Sequence, residues 1–232
     1  MKNVLLIAPH PDDELVGATF IIKKVLFKTN LIIFFPTNGV ISKEEMWLWE
    51  KKNYKLKLEL RINEMKRSLK HLGIKKFYVQ DIPTRKLKTN INKTFLKIKE
   101  IIKRNRIDTL FCPAFEGGHQ DHDVINFICS RFKNNHSVYE FAEYNFFKNR
   151  INCNEFIKET KNQKTLVLSS NEKKEKKKLL NIYYSEKGNL DYLAFDKETY
   201  RKIFNYDYSL PPHPGRLFYR RFSFFSWHPR VD

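Results

Sequence analysis

At 232 residues the chain is long enough for one large domain and too short for two complete ones. Its 41% hydrophobic and 15% aromatic content supports a real core, and no apolar run reaches the roughly 20 residues needed to span a bilayer. The formal net charge of +18 raises the question of an anionic partner; lysine is spread along the chain without any helix-turn-helix, zinc-finger or aromatic RNA-binding pattern, so no nucleic acid is expected. In chain order, Val4 to Ala8 reads as a first buried strand, with a helix from Glu14 to Phe27 after it. Leu31 to Phe35 reads as a second strand, ending at Pro36-Thr37-Asn38-Gly39. Residues 40–55 carry Trp47, Trp49 and Tyr54 among charges and read as a surface excursion, its aromatics packing locally or stacking on a ligand ring. Leu56 to Leu72 follows as a helix stopped by Gly73. Phe77 to Val79 is a short strand, Ile91 to Lys103 a helix, Thr109 to Cys112 a fourth strand, and Asp121 to Phe132 a further helix.

Strands near 4, 31, 77 and 109 alternating with helices predict an α/β fold, a Rossmann-like, doubly wound and mostly parallel sheet. After residue 135 the pattern loosens into a C-terminal α/β elaboration. Val138 to Tyr144 and Thr165 to Leu168 read as extra strands, and Asn171 to Tyr184 as a helix. Residues 208–215 are extended, because Pro211, Pro212 and Pro214 forbid a helix. Without a repeat or a clear linker, 1–232 is expected to be a single domain, with residues 1–135 as core and 136–232 as elaboration. Three cysteines at unrelated spacings (Cys112, Cys129, Cys153) give no disulfide framework, and the N-terminus shows no small-residue cleavage site; a cytoplasmic protein is expected.

The chemistry gathers at strand ends. The first strand runs into Pro9-His10-Pro11-Asp12-Asp13-Glu14, which suits a helix start, where acids oppose the dipole, and equally suits a metal. The fourth strand runs into Glu116-Gly117-Gly118-His119-Gln120-Asp121-His122. In a doubly wound sheet both lie at the carboxyl edge, together with Thr37 and Asp81. Two histidines three apart plus a His and an Asp from a neighbouring strand end can close three sides of a tetrahedral site. Zinc favours these donors, and catalytic zinc keeps a fourth position for water. Arg61 is a candidate substrate clamp or, equally, the partner of Glu64 at i,i+3. Asp81 could bind sugar hydroxyls or cap a turn before Pro83. His213, held between prolines, reads as a turn residue or as a further donor closing over the site.

His-Pro-Asp-Asp-Glu after the first strand and Gly-Gly-His-Gln-Asp-His after the fourth resemble the two signature motifs of the PIG-L/LmbE-like zinc N-deacetylase family. Thr37-Asn38-Gly39 is similar to that family's turn after strand two, and Arg61 to Glu64 with Leu72-Gly73 to its R-x-x-E…LG helix. Tyr184-Ser185 and Pro211-Pro212-His213 resemble C-terminal features of its sugar-modifying members. The resemblance implies His10, Asp13 and His122 as metal ligands, Asp12 as general base, His119 facing the developing oxyanion and Asp121 orienting a histidine. It implies one catalytic zinc, or another divalent transition metal, and an N-acetylated amino sugar as substrate. The expected reaction is removal of the acetyl group from a glycan, lipid-linked or nucleotide-linked precursor. The alternatives are a sugar-thiol or antibiotic precursor as substrate, or a catalytically silent metal-binding homologue. The +18 charge leaves peripheral membrane contact open, and a homo-oligomer is equally open. Two positions depart from the pattern: Gly117 stands where some members carry a tyrosine, and Gly17 alone remains of the glycines that follow the first motif.

Overall fold

The computed structural model describes residues 1–191 and 193–220. Its centre is a seven-stranded sheet whose buried strands are continuous apolar runs, as sheets covered on both faces require. The first five strands are β1 (Asn3–Ile7), β2 (Asn30–Phe35), β3 (Lys76–Val79), β4 (Thr109–Pro113) and β5 (Ser137–Phe141), all parallel. A short ribbon pairs β6 (Tyr144–Asn145) with β7 (Asn152–Cys153). The sheet is completed by β8 (Lys164–Val167) and β9 (Lys197–Lys202), which run antiparallel to each other, with β9 antiparallel to β5 as well. The order is β3-β2-β1-β4-β5-β9-β8. From β1 the chain builds outward to β2 and β3 on one side and to β4 and β5 on the other. That reversal opens a crevice at the carboxyl ends of β1 and β4.

The period-2 alternation of the strands divides the core between the two faces. Val4, Leu6, Ile33, Phe35 and Phe111 face Leu15 of α1 (Asp13–Val16), Met65 and Leu69 of α2 (Tyr54–His71) and Leu179 of α5 (Ser170–Leu180). Leu5, Ile7, Ile32, Phe34 and Leu110 face Ile98 and Ile101 of α3 (Ile91–Asn105) and Ile125 and Ile128 of α4 (Gln120–Ser130). Cys112 and Cys129 sit in this second core as free thiols.

Several elements depart from the sequence expectation for identifiable reasons. The helix expected over Glu14 to Phe27 is instead the single turn α1 followed by a π-helical segment, Ile21–Leu26. The N–H groups of Phe20 and Ile21 donate to Glu198 Oε2 at 2.8 and 2.9 Å, a partner 177 residues away or more. Glu198 also receives Lys176 Nζ at 2.6 Å, and the same ammonium donates to Val16 O at 2.8 Å. Both charges are fully buried. Strand β9 escaped notice because Lys-Glu-Thr-Tyr-Arg-Lys is too charged to read as buried; Glu198 is satisfied by Lys176, and Arg201 donates from Nε to Glu140 at 2.7 Å. The strand expected over Val138 to Tyr144 breaks after Phe141, and Tyr144 enters the β6–β7 ribbon. The helix expected to reach Tyr184 stops at Leu180 and is followed by the short α6 (Lys187–Leu190). Its start carries a capping box between Ser169 and Glu172.

Removing one member of a buried, hydrogen-bonded ion pair strands the other. Lys176→Met is therefore expected to destabilise the fold by about 3–5 kcal/mol, read as a lower midpoint in urea with an unchanged slope.

Candidate active site

The loop from β1 turns back sharply. Thr37 clamps it from β2, donating from Oγ1 to Pro9 O at 2.8 Å. Asp12 has φ 139° and ψ −29°, a region that side chains rarely adopt. Its N–H donates to Glu14 Oε2 at 3.0 Å, and its carbonyl accepts from Leu15 and Val16. Glu14, fully buried, is held in turn by Ser68 and by Tyr183, whose hydroxyl donates to Oε1 at 2.7 Å. The twist sends the two neighbouring acids to different places. Asp13 Oδ2 accepts from the His10 N–H at 2.7 Å and lies 3.2 Å from His10 Nδ1 and 3.3 Å from His122 Nε2. Asp12 faces Arg61 instead, at 3.9 Å from Nη1, and its side chain accepts no hydrogen bond among the described residues.

His10 Nδ1 and His122 Nε2 are themselves 3.3 Å apart. Three donor atoms thus form a nearly equilateral triangle. A tetrahedral zinc with bonds of ~2.0–2.2 Å separates its ligand atoms by roughly 3.3–3.6 Å along each edge, so this donor set fits such an ion. The outer nitrogens of the two imidazoles each meet a carboxylate. His10 Nε2 donates to Asp121 Oδ2 at 3.0 Å, and His122 Nδ1 lies 3.5 Å from Glu143 Oε2. Asp121 is fixed by the N–H groups of Arg85 and Leu87 at 2.6 and 3.2 Å. Burial works against its charge, but the His10 hydrogen bond and the neighbouring His119 hold it at about 2. For His10, burial is outweighed by Asp13 and Asp121, which raise it to about 10: the pocket attracts positive charge.

Glu143 is the residue that sequence reasoning missed. It lies just past β5, in the bend where the expected strand broke, and its two oxygens are buried without a hydrogen-bond partner among the described residues. Burial, with Asp13 and Glu116 nearby, pushes its carboxyl well above the usual range. Glu116, beyond β4, places it by accepting the Glu143 N–H at 2.7 Å. Gly17 makes room: a Cβ there would stand 2.5 Å from Phe141 Cδ2 and 2.7 Å from Glu143 Cγ. No local signal in Phe-Ala-Glu-Tyr marks this role, because it exists only through contact with His122.

His119 caps the start of α4, its Nδ1 accepting the Asp121 N–H at 3.1 Å. The ring proton therefore sits on Nε2. Burial and the adjacent His10 hold this imidazole well below its ordinary range. Its ring packs edge-on against His10, with centroids 4.4 Å apart. Gly117, with φ +69°, is crowded against a larger side chain: a Cβ would meet Leu217 at 2.7 Å and Pro212 at 3.1 Å.

Of the substrate-binding candidates, Arg61 is buried and engaged by the protein itself. It donates to Ser185 Oγ at 3.1 Å and Pro11 O at 3.3 Å, pairs with Glu186, and lies 3.7 Å from Glu64. His213 is buried beside Gly117, with Nδ1 2.8 Å from Pro214 O and Nε2 unpartnered among the described residues. Asp81 is exposed and accepts from Asn38 at 2.9 Å.

The carboxylate–imidazole triangle, set in the crevice of a doubly wound sheet with Asp12 beside it, is a donor set that could hold a metal ion. The family model described as PIG-L, GlcNAc-PI de-N-acetylase, matches residues 5–133, more than half of the chain, and the protein belongs to this family of deacetylases. No curated protein matches the sequence. Among solved structures, a deacetylase from the teicoplanin biosynthesis pathway is similar with a TM-score of 0.65 at 12% identity, over 89% of this chain and 99% of that one. The N,N'-diacetylchitobiose deacetylase of Pyrococcus horikoshii is similar with a TM-score of 0.54 at 19% identity, over 80% and 70%. A 4-carboxy-2-hydroxymuconate hydratase from Pseudomonas putida shares the fold with a TM-score of 0.51 at 13% identity, over 89% and 98%.

A carboxyl group behind an imidazole fixes its tautomer and ring orientation. Asp121→Ala and Glu143→Ala are each expected to weaken binding of a divalent metal ~10–100-fold in titration calorimetry, with the fold retained by circular dichroism.

Proposed function

We propose that the protein hydrolyses the N-acetyl amide of an N-acetylated amino sugar, releasing acetate and a free amine, with His10, Asp13 and His122 holding a catalytic zinc ion. The observation that carries this reading is the divergence of two adjacent acids, Asp13 into the donor triangle and Asp12 beside it, facing Arg61 at 3.9 Å and accepting no hydrogen bond among the described residues. The family description supports the amino sugar, as does the chitobiose deacetylase among the structural neighbours. Zinc, when bound, polarises the amide carbonyl and acidifies the attacking water.

The chain's own residues supply the remainder. Asp12 accepts the proton of the attacking water. His119, with its proton on Nε2, donates to the oxyanion as it develops. The proton taken by Asp12 must leave before the next turnover, and the departing amine nitrogen is its acceptor. Arg61 positions Pro11 and Asp12, since its donors are occupied by protein groups. His213 Nε2, buried beside Gly117, and Asp81 at the rim are proposed to take substrate hydroxyls.

Acetate release is to be measured on N-acetylglucosamine offered free, nucleotide-linked and lipid-linked, before and after treatment with a chelator and after zinc is restored. Release that is lost with chelation and recovered with zinc is expected; zinc-loaded protein that releases acetate from none of them contradicts the proposal. His119→Ala is expected to lower kcat by ~10²–10³-fold while zinc affinity stays at the wild-type value.

A further inference from the structure

The excursion between β2 and α2 leaves from the carboxyl end of β2, on the edge of the sheet that carries the candidate site. It is fastened there: Thr84 N–H donates to Val40 O at 3.0 Å, and Lys86 pairs with Glu45. The neighbouring Arg85 N–H is one of the groups that hold Asp121. Met46 is buried and anchors the loop, but the three residues after it project outward. Trp47 is 48% exposed, Leu48 81% and Trp49 66%. The two indoles stack on each other with centroids 5.0 Å apart and planes 7° from parallel. The first turns of α2 add exposed Leu56 and Leu60, one helical turn apart and so on one face.

Basic residues follow immediately. Glu50 is paired with Lys57, whereas Lys51, Lys52 and Lys55 make no ion pair among the described residues. The exposed aromatic-aliphatic tip is preceded by Glu44 and by Glu45, which is paired with Lys86, and followed by those three lysines, a net basic surround that matches the chemistry of a bilayer interface. Indoles favour the headgroup level, an aliphatic side chain enters the acyl boundary, and lysines meet anionic lipid. We propose that residues 46–57 dock the protein peripherally on an anionic membrane, through Trp47, Leu48 and Trp49.

Two other occupants fit less well. A sugar has no use for Leu48, the most exposed of the three. A second copy would bring one chain of net charge +18 against another, which self-repulsion opposes. This inference goes beyond the proposed reaction and does not depend on it.

The test uses full-length protein and sucrose-loaded vesicles that contain no amino sugar. One set is phosphatidylcholine with 30 mol% phosphatidylglycerol (about a third anionic lipid), the other phosphatidylcholine alone, both at physiological salt. Wild type is expected to sediment with the anionic vesicles, and brominated lipid to quench its tryptophan emission. Leu48→Ser/Trp49→Ser leaves the charge unchanged and is expected to lose binding by at least ~10-fold, with unaltered circular dichroism. Lys52→Glu/Lys55→Glu is expected to weaken binding to the anionic set. Three results would overturn the proposal: no sedimentation of wild type, equal sedimentation of wild type and Leu48→Ser/Trp49→Ser, or a wild-type dimer in light scattering that this double variant dissolves.

Discussion

The backbone twist at Asp12 is the constraint on which the rest of the site depends. A non-glycine residue at φ 139° costs on the order of 1–3 kcal/mol and persists only where its surroundings over-determine it. Here they do. Glu14 takes the Asp12 N–H, α1 takes its carbonyl, Thr37 pins Pro9, and Arg61 binds Pro11 O. The twist directs Asp13 into the donor triangle and Asp12 toward Arg61. The motif's last acid, Glu14, is thus a structural brace whose contribution to chemistry is indirect.

The bracing reaches into the C-terminal part of the chain. Ser185 binds Glu64 through its N–H at 3.0 Å and through its hydroxyl, and both Ser185 and Glu186 engage Arg61. Tyr183 reaches Glu14, and the Lys176–Glu198 pair holds the backbone on either side of the break after α1. The elaboration therefore sets the position of the first motif as well as covering it. The hydratase neighbour shows why this detail matters: the same doubly wound sheet carries a different reaction elsewhere, so chemistry has to be argued from side chains.

What the sequence made legible was local. Strands β1, β2 and β4 are largely buried apolar runs, and such runs are readable without knowing their partners. His10, Asp13, His119 and His122 could be placed near one another because motifs at the ends of parallel strands share an edge. What stayed hidden depends on contacts between distant residues. Strand β9 looks exposed until Glu198 meets Lys176 and Arg201 meets Glu140. Glu143 is an ordinary acid until the break after β5 turns it toward His122. Arg61, read from the sequence as a substrate clamp or as the partner of Glu64, lies 3.7 Å from Glu64 and takes on a further contact no spacing shows, to Pro11 O in the loop before Asp12.

Asp12 and Asp13, adjacent in sequence, are proposed to do different work. The comparison of Asp12→Asn with Asp13→Asn for bound zinc and for acetate release tests that division. Asp12→Asn is expected to keep one zinc per chain and lose ~10²–10⁴-fold in turnover, while Asp13→Asn loses the metal itself. An Asp12→Asn protein that loses zinc together with activity, or an Asp13→Asn protein that keeps both, would contradict it.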